Sequence, residues 1–440
     1  MIRVEEYKEP QHDSSSQKFH NPSKLYLPLS QHTGAPSKPC VKKGDQVSEG
    51  EVIAKASGAI SAQLHAPKSG KVIDIANWYH PTLKKAPAII IQCQDEEKEY
   101  SSCKDKDIEL LTKEKILKTI ADCGIVGMGG AAFPTHVKLD PPKKIDTLII
   151  NGCECEPYLA CDYRLMIENM DKIFRGIRLI AKLINPKEII FAIEENKSAA
   201  IKKVNLLINT KKFDLPRLEP RQTDLPPIRL VVLDTAYPQG GEKQLIQLIT
   251  KKKVPPKGLP LDIGALVHNV ATCFAIYEAV YLNKPLVERL VSFCGDALAT
   301  PKNIWVKIGT TLQELIDKKI LEFEKEPKKI ICGGPMMGIA LDGLDYPILK
   351  NAGGFLFLCD QVDDSEEKPC LRCSRCVDTC PMDLLPLEYV KRVKKEEYAS
   401  LSEFNIADCI ECGCCAYSCP AKIPIVHYIK IGKNYDLNGK

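Results

Sequence analysis

The sequence lacks the features that would indicate a membrane span, a nucleic-acid partner or secretion. No apolar run approaches the roughly 18 residues that a membrane-spanning helix needs. The longest runs, near residues 145–150 and 228–233, predict buried strands. The 61 basic and 57 acidic residues leave a formal charge of +4, so no overall positive field attracts nucleic acid. No signal peptide and no Ser/His/Asp or Cys/His catalytic arrangement is evident.

Cysteine, in contrast, is abundant. Eight of the 20 cysteines fall in two runs of the same spacing, CxxCxxCxxxCP, which comprise Cys370, Cys373, Cys376 and Cys380, and then Cys409, Cys412, Cys415 and Cys419. In bacterial ferredoxins this spacing holds two [4Fe–4S] clusters, and the fourth cysteine of each run ligates the other cluster. We therefore expect crossed ligand sets, with Cys419 completing the first set and Cys380 completing the second.

Disulfides and zinc remain as alternative uses of these cysteines. A disulfide framework requires an oxidising compartment, which suits neither the length of the chain nor its other, singly scattered cysteines. Zinc is satisfied by four ligands per site and does not require two identical runs. The spacing favours iron–sulfur clusters over both. Cys414 breaks the spacing and is expected to be a bystander.

The length of 440 residues predicts three or four domains. The predicted segments are a loosely held polar tail (1–24), a β-rich module (25–95), an α/β unit (106–284), a second β-rich unit (285–358), the cysteine segment (365–428) and a C-terminal tail (429–440). A charged linker is expected at 95–106. Residues 387–398 predict a charged surface helix whose basic side chains face partner subunits or solvent.

A glycine-dense loop at residues 124–134 opens the α/β unit. Glycines let successive backbone N–H groups point into one concavity, which suits a phosphate. Polar stretches follow two predicted strands, at 151–157 and 234–243, and another opens a helix near residue 268. Open α/β sheets bind ligands at such positions, so we expect these stretches to converge on one site.

Together these stretches resemble the FMN and NADH site of the flavoprotein subunit of respiratory complex I. The order of modules resembles that of the RnfC family, the C-subunits of the Rnf ion-translocating electron-transport complexes. The resemblance implies a multidomain α/β and α+β protein: a barrel-sandwich hybrid, a complex I flavoprotein-like α/β core, a β-grasp (soluble-ligand-binding-like) domain and an α-helical domain of the two-cluster ferredoxin type. The turn at 57–61 lacks the modifiable lysine of biotinyl carriers, which favours a docking module.

The resemblance also assigns roles to individual residues. It places Gly127, Gly129, Gly130, Lys138, Asn151, Tyr237, Gly240 and Asn269 in cofactor binding and Phe133, Glu154, Glu156 and Glu242 in the catalytic site. The glycines and Lys138 are expected to bind the flavin phosphate, and Phe133 is expected to pack against the flavin or nicotinamide ring. One of Glu154 and Glu156 is expected to bind ribose hydroxyls, which favours NADH over NADPH. Cys153 and Gly241 replace acidic residues of the complex I pattern.

The implied function is that of an NADH- and FMN-dependent electron-transfer subunit of an ion-translocating oxidoreductase, an enzyme that works as part of a complex. Electrons are expected to pass between NAD(H), FMN and the two clusters. The expected position is peripheral, on the cytoplasmic face of the bacterial inner membrane, beside integral membrane subunits and a ferredoxin-type subunit.

Two alternatives remain for the function. One is a soluble flavin and iron–sulfur reductase of the cobalamin-reductase type, although there the barrel-sandwich part follows the ferredoxin segment, whereas here it comes first. The other is a non-catalytic cluster relay whose flavin site has decayed through Cys153 and Gly241. The related sodium-pumping quinone reductase fits poorly because its corresponding subunit lacks the cysteine runs.

Overall fold

A computed structural model describes residues 1–8, 14–94, 98–100, 110–210, 226–360, 362 and 365–438. Most of the charged linker predicted at 95–106 lies outside these residues. Among the described residues, no helix combines the length and the apolar character that crossing a bilayer requires.

The N-terminal module is built from two small sheets. Its strands are β2 (Lys24–Pro28), β3 (Lys38–Pro39), β4 (Gln46–Val47), β5 (Val52–Lys55), β6 (Leu64–His65), β7 (Gly70–His80) and β8 (Lys84–Cys93). One sheet has the order β2-β8-β7-β4 and the other β3-β5-β6, all with antiparallel pairs. Leu25, Ile53 and Ile91 are fully buried between them. Residues 43–44 form the turn before β4.

The α/β core surrounds a parallel sheet. Its elements are α1 (Lys113–Asp122), α2 (Thr135–Lys138), β9 (Thr147–Gly152), α3 (Cys161–Ile184), β10 (Glu188–Glu194), α4 (Ser198–Thr210), β11 (Ile228–Leu233), α5 (Glu242–Thr250), a 3-10 turn (Pro260–Ile263), β12 (Ala265–Asn269) and α6 (Val270–Leu282). The strand order is β11-β10-β9-β12. As an edge strand, β11 is only partly buried, so the prediction of a buried strand there was wrong.

Helices α3 and α6 pack closely on one face of this sheet, and α5 packs on the other. Gly176 of α3 lies at their crossing, where a Cβ atom would come within 1.9 Å of the carbonyl oxygen of Cys273 in α6. Only glycine permits this backbone approach. The tight crossing fixes where the N-termini of α3 and α6 lie at the carboxyl edge of the sheet.

The third unit has the strand arrangement of a β-grasp fold. It contains β13 (Glu288–Cys294), β14 (Lys302–Lys307), α7 (Leu312–Asp317), β15 (Lys329–Cys332), β16 (Ile339–Leu341) and β17 (Gly354–Leu358). The first and last strands, β13 and β17, are parallel neighbours, flanked by β14 on one side and by β15 and β16 on the other. This topology agrees with the predicted β-grasp domain.

Residues near the N-terminus pack against distant parts of the chain, so the prediction of a loose tail was wrong. Strand β1 (Gln17–Phe19) pairs in parallel with β14 of the β-grasp unit. Ile2 exchanges two backbone hydrogen bonds with Tyr237, at 2.9 and 2.8 Å. The ring of Tyr7 stacks on Tyr158 at 4.6 Å, and the buried Lys8 donates to the carbonyl of Glu154. The N-terminus therefore helps to hold the units together.

The cysteine segment folds as two similar halves. Its helices are α8 (Arg375–Asp378), α9 (Pro386–Lys394), α10 (Cys414–Tyr417) and α11 (Ile425–Asn438), with 3-10 turns at Tyr398–Phe404 and Ile406–Asp408. Left-handed backbone conformations recur at matching positions of the two halves, at Arg372, Ser374 and Asp383 and at Glu411, Gly413 and Lys422. Ile429 is buried in the core of this unit, so α11 occupies much of the predicted C-terminal tail.

Candidate functional site

The glycine loop and the three polar stretches predicted from the sequence do converge at the carboxyl edge of the parallel sheet. The side-chain amide of Asn151, at the end of β9, donates to the carbonyl of Gly240 at 2.8 Å. Gly129 lies against Asn269, because a Cβ on this glycine would be 2.8 Å from the Asn269 Cβ. The ammonium group of Lys138 lies 2.7 Å from a carboxylate oxygen of Glu242. The glycine loop, both strand ends and the start of α6 thus form one site.

The glycine loop, residues 124–134, presents free backbone donors at this site. The Gly127 N–H donates to the Phe133 carbonyl at 2.9 Å, and the Met128 N–H donates to the Thr272 hydroxyl at 3.0 Å. Residues 129–131 are exposed, and their N–H groups donate to no protein acceptor among the described residues. A Cβ on Gly130 would meet nothing within 4 Å. This exposed cradle of free amides fits a phosphate.

Side chains from two other units hold the glycine loop in shape. Thr33 of the barrel unit donates its hydroxyl to the Ala131 carbonyl and its N–H to the Ala132 carbonyl. Asn351 donates its amide to the Gly130 carbonyl at 3.2 Å. Lys350 is buried and donates to the Gly124 carbonyl at 2.8 Å and to the Gln63 carbonyl at 2.7 Å. The loop is therefore shaped by residues outside the α/β core.

His65 lies at the same seam between the barrel unit and the α/β core. Burial, reinforced by the positive charge of Lys350, lowers the pKa of His65 to about 3. Because an unfolded histidine has a pKa near 6.5, this group stabilises the fold fully above about pH 6.5 and loses that stabilisation as pH falls toward 3.

We expect the apparent melting temperature of the metal-free chain to fall as the pH is lowered from about 6.5 to 3. His65→Gln should flatten that part of a melting-temperature profile against pH, and an unchanged slope in the variant would contradict the assignment.

The Glu154 carboxylate binds the N-terminus of α3. It accepts the N–H groups of Asp162 at 2.9 Å and Tyr163 at 3.1 Å. Negative charge at a helix N-terminus is stabilising because it satisfies free amides and complements the helix dipole. Asn269 also faces this point and donates to Asp162 at 2.6 Å. Asp162 was not predicted as a site residue. Burial, followed by the charge of Glu154, raises its pKa to about 7.

Glu156 connects the site to the β-grasp unit. Its two carboxylate oxygens accept the N–H groups of Met336 at 3.1 Å and Met337 at 2.9 Å. A Cβ on Gly334 would lie 2.2 Å from this carboxylate, so the loop at 333–338 closes tightly around it. Burial raises the pKa of Glu156 to about 7. Glu154 and Glu156 therefore have structural partners, and their contact with a ribose stays a prediction.

The two departures from the complex I pattern, Cys153 and Gly241, lie at closely packed positions of the site. The N–H of Cys153 is accepted by the Asn151 side chain at 3.0 Å, and a Cβ on Gly240 would lie 2.3 Å from the Cys153 carbonyl oxygen. Burial raises the pKa of the Cys153 thiol, so the thiol is neutral at this position. Gly241 precedes the first residue of α5, Glu242, as its N-cap. The strand ends thus pack closely without the acidic side chains.

The eight cysteines of the two runs line two cavities, and each cavity receives three cysteines of one run and the fourth of the other. One cavity is lined by Cys380, Cys409, Cys412 and Cys415, and the other by Cys370, Cys373, Cys376 and Cys419. Backbone N–H groups approach the sulfur atoms of Cys370, Cys380 and Cys409, each at 3.4 Å. Four thiolates and amide donors to sulfur are the environment that a [4Fe–4S] cluster requires. The fit supports the crossed sets.

The loop at 409–415 packs directly on the α/β core. The hydroxyl of the buried Tyr237 donates to the Cys412 carbonyl at 2.7 Å. Gln244 of α5 donates its side-chain amide to the Met382 sulfur at 3.0 Å. Cys414 packs with Tyr237 in this contact and lines neither cavity, in line with the expected bystander role. The cysteine set containing Cys412 is therefore the one beside the flavin-type core.

A free-amide cradle at the edge of a parallel sheet, joined to two four-cysteine cavities, defines an electron-transfer flavoprotein with two iron–sulfur sites. Residues 120–278 match the Nuo51 FMN-binding domain, residues 2–97 the RnfC barrel sandwich hybrid domain and residues 369–423 a 4Fe-4S dicluster domain. The chain belongs to the RnfC family, the C-subunits of ion-translocating oxidoreductase complexes, as its relatives establish. The predicted family, module order and cofactor classes FMN and [4Fe–4S] are thus confirmed.

Three relatives illustrate the family. The chain is 45% identical over 393 residues to the C-subunit of the proton-translocating ferredoxin:NAD(+) oxidoreductase complex of Clostridium ljungdahlii, and the match covers 88% of this chain and 82% of that protein. It is 38% identical over 377 residues to the C-subunit of the ion-translocating oxidoreductase complex of Rhodobacter capsulatus, with coverages of 84% and 70%. The C-subunit of the Pseudomonas aeruginosa complex is 39% identical over 395 residues, with coverages of 87% and 48%.

The fold also resembles a solved structure of an NAD+-reducing [NiFe]-hydrogenase in its H2-reduced state. The TM-score is 0.52 at 17% identity, and the superposition covers 76% of this chain and 68% of the hydrogenase chain. At this identity the likeness concerns the fold alone.

Proposed function

We propose that this chain is the NADH- and FMN-dependent electron-transfer subunit of an ion-translocating oxidoreductase complex, exchanging electrons between NAD(H) and two [4Fe–4S] clusters. The observation that carries the proposal is the hydrogen bond from Tyr237 to the Cys412 carbonyl, because it joins the end of the flavin-type sheet to a cluster loop. The names of the relatives, which include a ferredoxin:NAD(+) oxidoreductase subunit, support it.

The residues present fit FMN. The free N–H groups of residues 129–131 would bind its phosphate, and Lys138 adds a positive charge at the same edge. The hydrogen bond from the Gly127 N–H to the Phe133 carbonyl closes the loop at Phe133, which would lie beside the ring system. When bound, FMN supplies the conversion between two-electron hydride transfer and one-electron transfer to iron–sulfur clusters. The protein's part is to orient the ring and to exclude water behind it.

For the nicotinamide nucleotide we propose the exposed side of the same edge. Glu242 is 41% exposed and pairs with Lys138 at the rim, so both groups are available to polar ligand atoms. Oε1 of Glu154 accepts from both the Cys161 thiol and the Asp162 N–H, whereas its Oε2 and both oxygens of Glu156 each accept one protein N–H and keep a lone pair for a ribose hydroxyl. The hydrogen bonds of Asn151 to Gly240 and of Asn269 to Asp162 fix the backbone segments that carry the site, and Tyr237 bonds the loop of Cys412.

We propose that electrons move from the core to the cysteine set containing Cys412 and then to the set containing Cys370, or in the reverse order. Beyond the second set, the partners would be integral membrane subunits and a ferredoxin-type subunit. The chain would lie on the cytoplasmic face of the bacterial inner membrane, where NADH is available. The names of the relatives, which describe subunits of a complex, support a multi-subunit assembly.

An anaerobic preparation tests this function. The purified chain should contain about eight irons and eight sulfides and bind about one FMN, and NADH should bleach its broad iron–sulfur absorbance. A preparation with full iron content but no flavin binding and no response to NADH would favour the non-catalytic relay. The same experiment with NADPH should give a much slower response if an acidic residue contacts the ribose.

Loosening the glycine loop should weaken FMN binding. Thr33→Val and Asn351→Ala each remove a hydrogen bond to a loop carbonyl, worth about 0.5–1.5 kcal/mol. We expect the FMN dissociation constant, measured by quenching of flavin fluorescence, to rise by about 2–12-fold in each variant. Thr82→Val, at an exposed turn of the barrel unit, is the matched control and should bind FMN like the wild type. Equal FMN affinity in all three variants would argue against the role of these side chains.

A further inference from the structure

The two cysteine loops have the same backbone shape but different surroundings. Arg372 and Ser374 in the first loop and Glu411 and Gly413 in the second all have positive φ. In the second loop, Ile410 packs in the cluster around Tyr237. A Cβ on Gly413 would lie 2.8 Å from the Met336 carbonyl, so the α/β core and the β-grasp loop cover this loop closely.

The first loop, residues 370–376, is called here the exposed cysteine loop. Leu371 occupies the position that corresponds to Ile410, yet 68% of its surface is exposed. Cys370 and Cys373 are exposed as well, whereas Cys412 and Cys415 are buried. The exposed cysteine loop thus presents on the outside the apolar position that its twin, the second loop, uses for an internal contact.

Two cationic side chains of the same loop flank this leucine. Arg372 and Arg375 are exposed, and neither forms an ion pair within the described part of the chain. The adjoining groove is lined by Arg375, Lys422, Tyr417 and one carboxylate, Asp378. The negative charge of Glu367 is already paired, because its carboxylate lies beside Lys394 and accepts a hydrogen bond from the Tyr428 hydroxyl. An apolar centre with a cationic rim complements an acidic protein surface.

We infer that the exposed cysteine loop is the docking surface for an acidic protein that carries a one-electron centre. This inference rests on the proposed function and adds the place and the charge of the electron-transfer contact. Docking brings the carrier's centre next to the cysteines of the set containing Cys370. One electron then crosses per encounter: the reduced carrier is oxidised and this chain is reduced by one electron, or the reverse, with no bond or proton transferred.

The test uses the full chain loaded with its clusters and FMN, and an acidic two-[4Fe–4S] ferredoxin as the probe. Surface plasmon resonance should show binding at low ionic strength that weakens steeply with added salt. The double variant Arg372→Glu/Arg375→Glu should lose at least about tenfold in affinity. Leu371→Ser, which keeps the charge, should lose about three- to tenfold through its apolar contact.

Helix α9 supplies a matched control in the same unit. Lys391 and Lys395 are about as exposed as the loop, at 56% and 58%, and each lies 3.8 Å from a glutamate. Lys391→Glu/Lys395→Glu reverses the same number of charges and should bind the ferredoxin within about twofold of the wild type. If this control loses as much affinity as the arginine variant, the surface is not specific and the inference is overturned.

Two further readouts keep this inference separate from the proposed function. Bleaching of the iron–sulfur absorbance by NADH, together with iron content, should be the same in every variant, since no ligand is changed. If NADH fails to reduce the wild type, the proposed function fails whatever the ferredoxin result. Three outcomes would each overturn the docking assignment. The arginine variant could bind ferredoxin as tightly as the wild type, the chain could bind anionic phosphatidylserine vesicles in place of ferredoxin, or it could self-associate through this loop in sedimentation.

Discussion

Replacing Cys380 by alanine should disconnect both clusters from NADH, whereas replacing Cys419 by alanine should disconnect only one. Both cysteines end a run and precede a proline, but they line different cavities. Cys380 completes the set that contains Cys412, whose loop is bonded to Tyr237 of the α/β core. Loss of this near cluster leaves a gap between the core and the remaining set, and electron transfer across it should slow by several orders of magnitude.

Iron content and absorbance distinguish the two variants. Each should retain about four of about eight irons. In the Cys419→Ala variant, NADH should still bleach the remaining cluster at the wild-type rate. In the Cys380→Ala variant, dithionite should reduce the remaining cluster but NADH should not. Rapid reduction by NADH in both variants would show that the Cys370 set has its own path to the core and would contradict the order of transfer proposed above.

The second large effect concerns a buried ion pair beneath the site. Lys197 and Glu194 lie 2.5 Å apart at the end of β10, and both side chains are fully buried. Burial by itself lowers the pKa of Lys197, but the charges of Glu194 and Glu154 raise it further, so the net shift is upward. A lysine with a raised pKa keeps its stabilising effect below its unfolded pKa near 10.5, so the pair is fully formed at neutral pH.

Lys197→Met should therefore destabilise the α/β core by about 3–5 kcal/mol, because it leaves Glu194 buried without its cation. The other carboxylate oxygen of Glu194 has no hydrogen-bond partner among the described residues, so no second donor there compensates for loss of the lysine. We expect the apparent melting temperature, followed by circular dichroism, to fall by about 10 °C.

Two variants complete this test. Glu194→Gln/Lys197→Met removes both charges and should recover part of the loss. Lys187→Met breaks the exposed pair with Asp146, 3.1 Å apart, and should change stability by less than about 1 kcal/mol. A Lys197→Met protein as stable as the Lys187→Met protein would mean that the buried pair contributes little.

The features that could be predicted from the sequence are those that depend on the spacing of residues close together in the chain, above all the grouping of the cysteines. The intervals between Cys370 and Cys380 and between Cys409 and Cys419 imply the crossed sets, because a short loop can wrap only one cluster while the turn before proline points away. The glycine loop and the polar strand ends were also recognisable, since their residue types are needed at the carboxyl edge of a parallel sheet.

What the sequence could not predict depends on contacts between distant segments. Nothing near Thr33 or Asn351 indicates that they bind the glycine loop, because each hydrogen bond spans more than one unit of the fold. The pairing of β1 with β14 joins residues far apart in the chain, so residues 1–24 read as a polar tail. Likewise, Glu154 and Glu156 matched a pattern of ligand-binding acids, but their amide partners lie at the start of α3 and in the loop at 333–338.

In the part of the chain that the structure describes, the residues whose hydrogen bonds shape the glycine loop come from the barrel unit, the α/β core and the β-grasp unit, and none of them lies in the cysteine segment. We therefore expect FMN to bind whether or not the clusters have already been inserted. A cell short of iron would then accumulate a chain that has bound FMN and assembled its first three units. Insertion of the two clusters would make this chain competent for electron transfer.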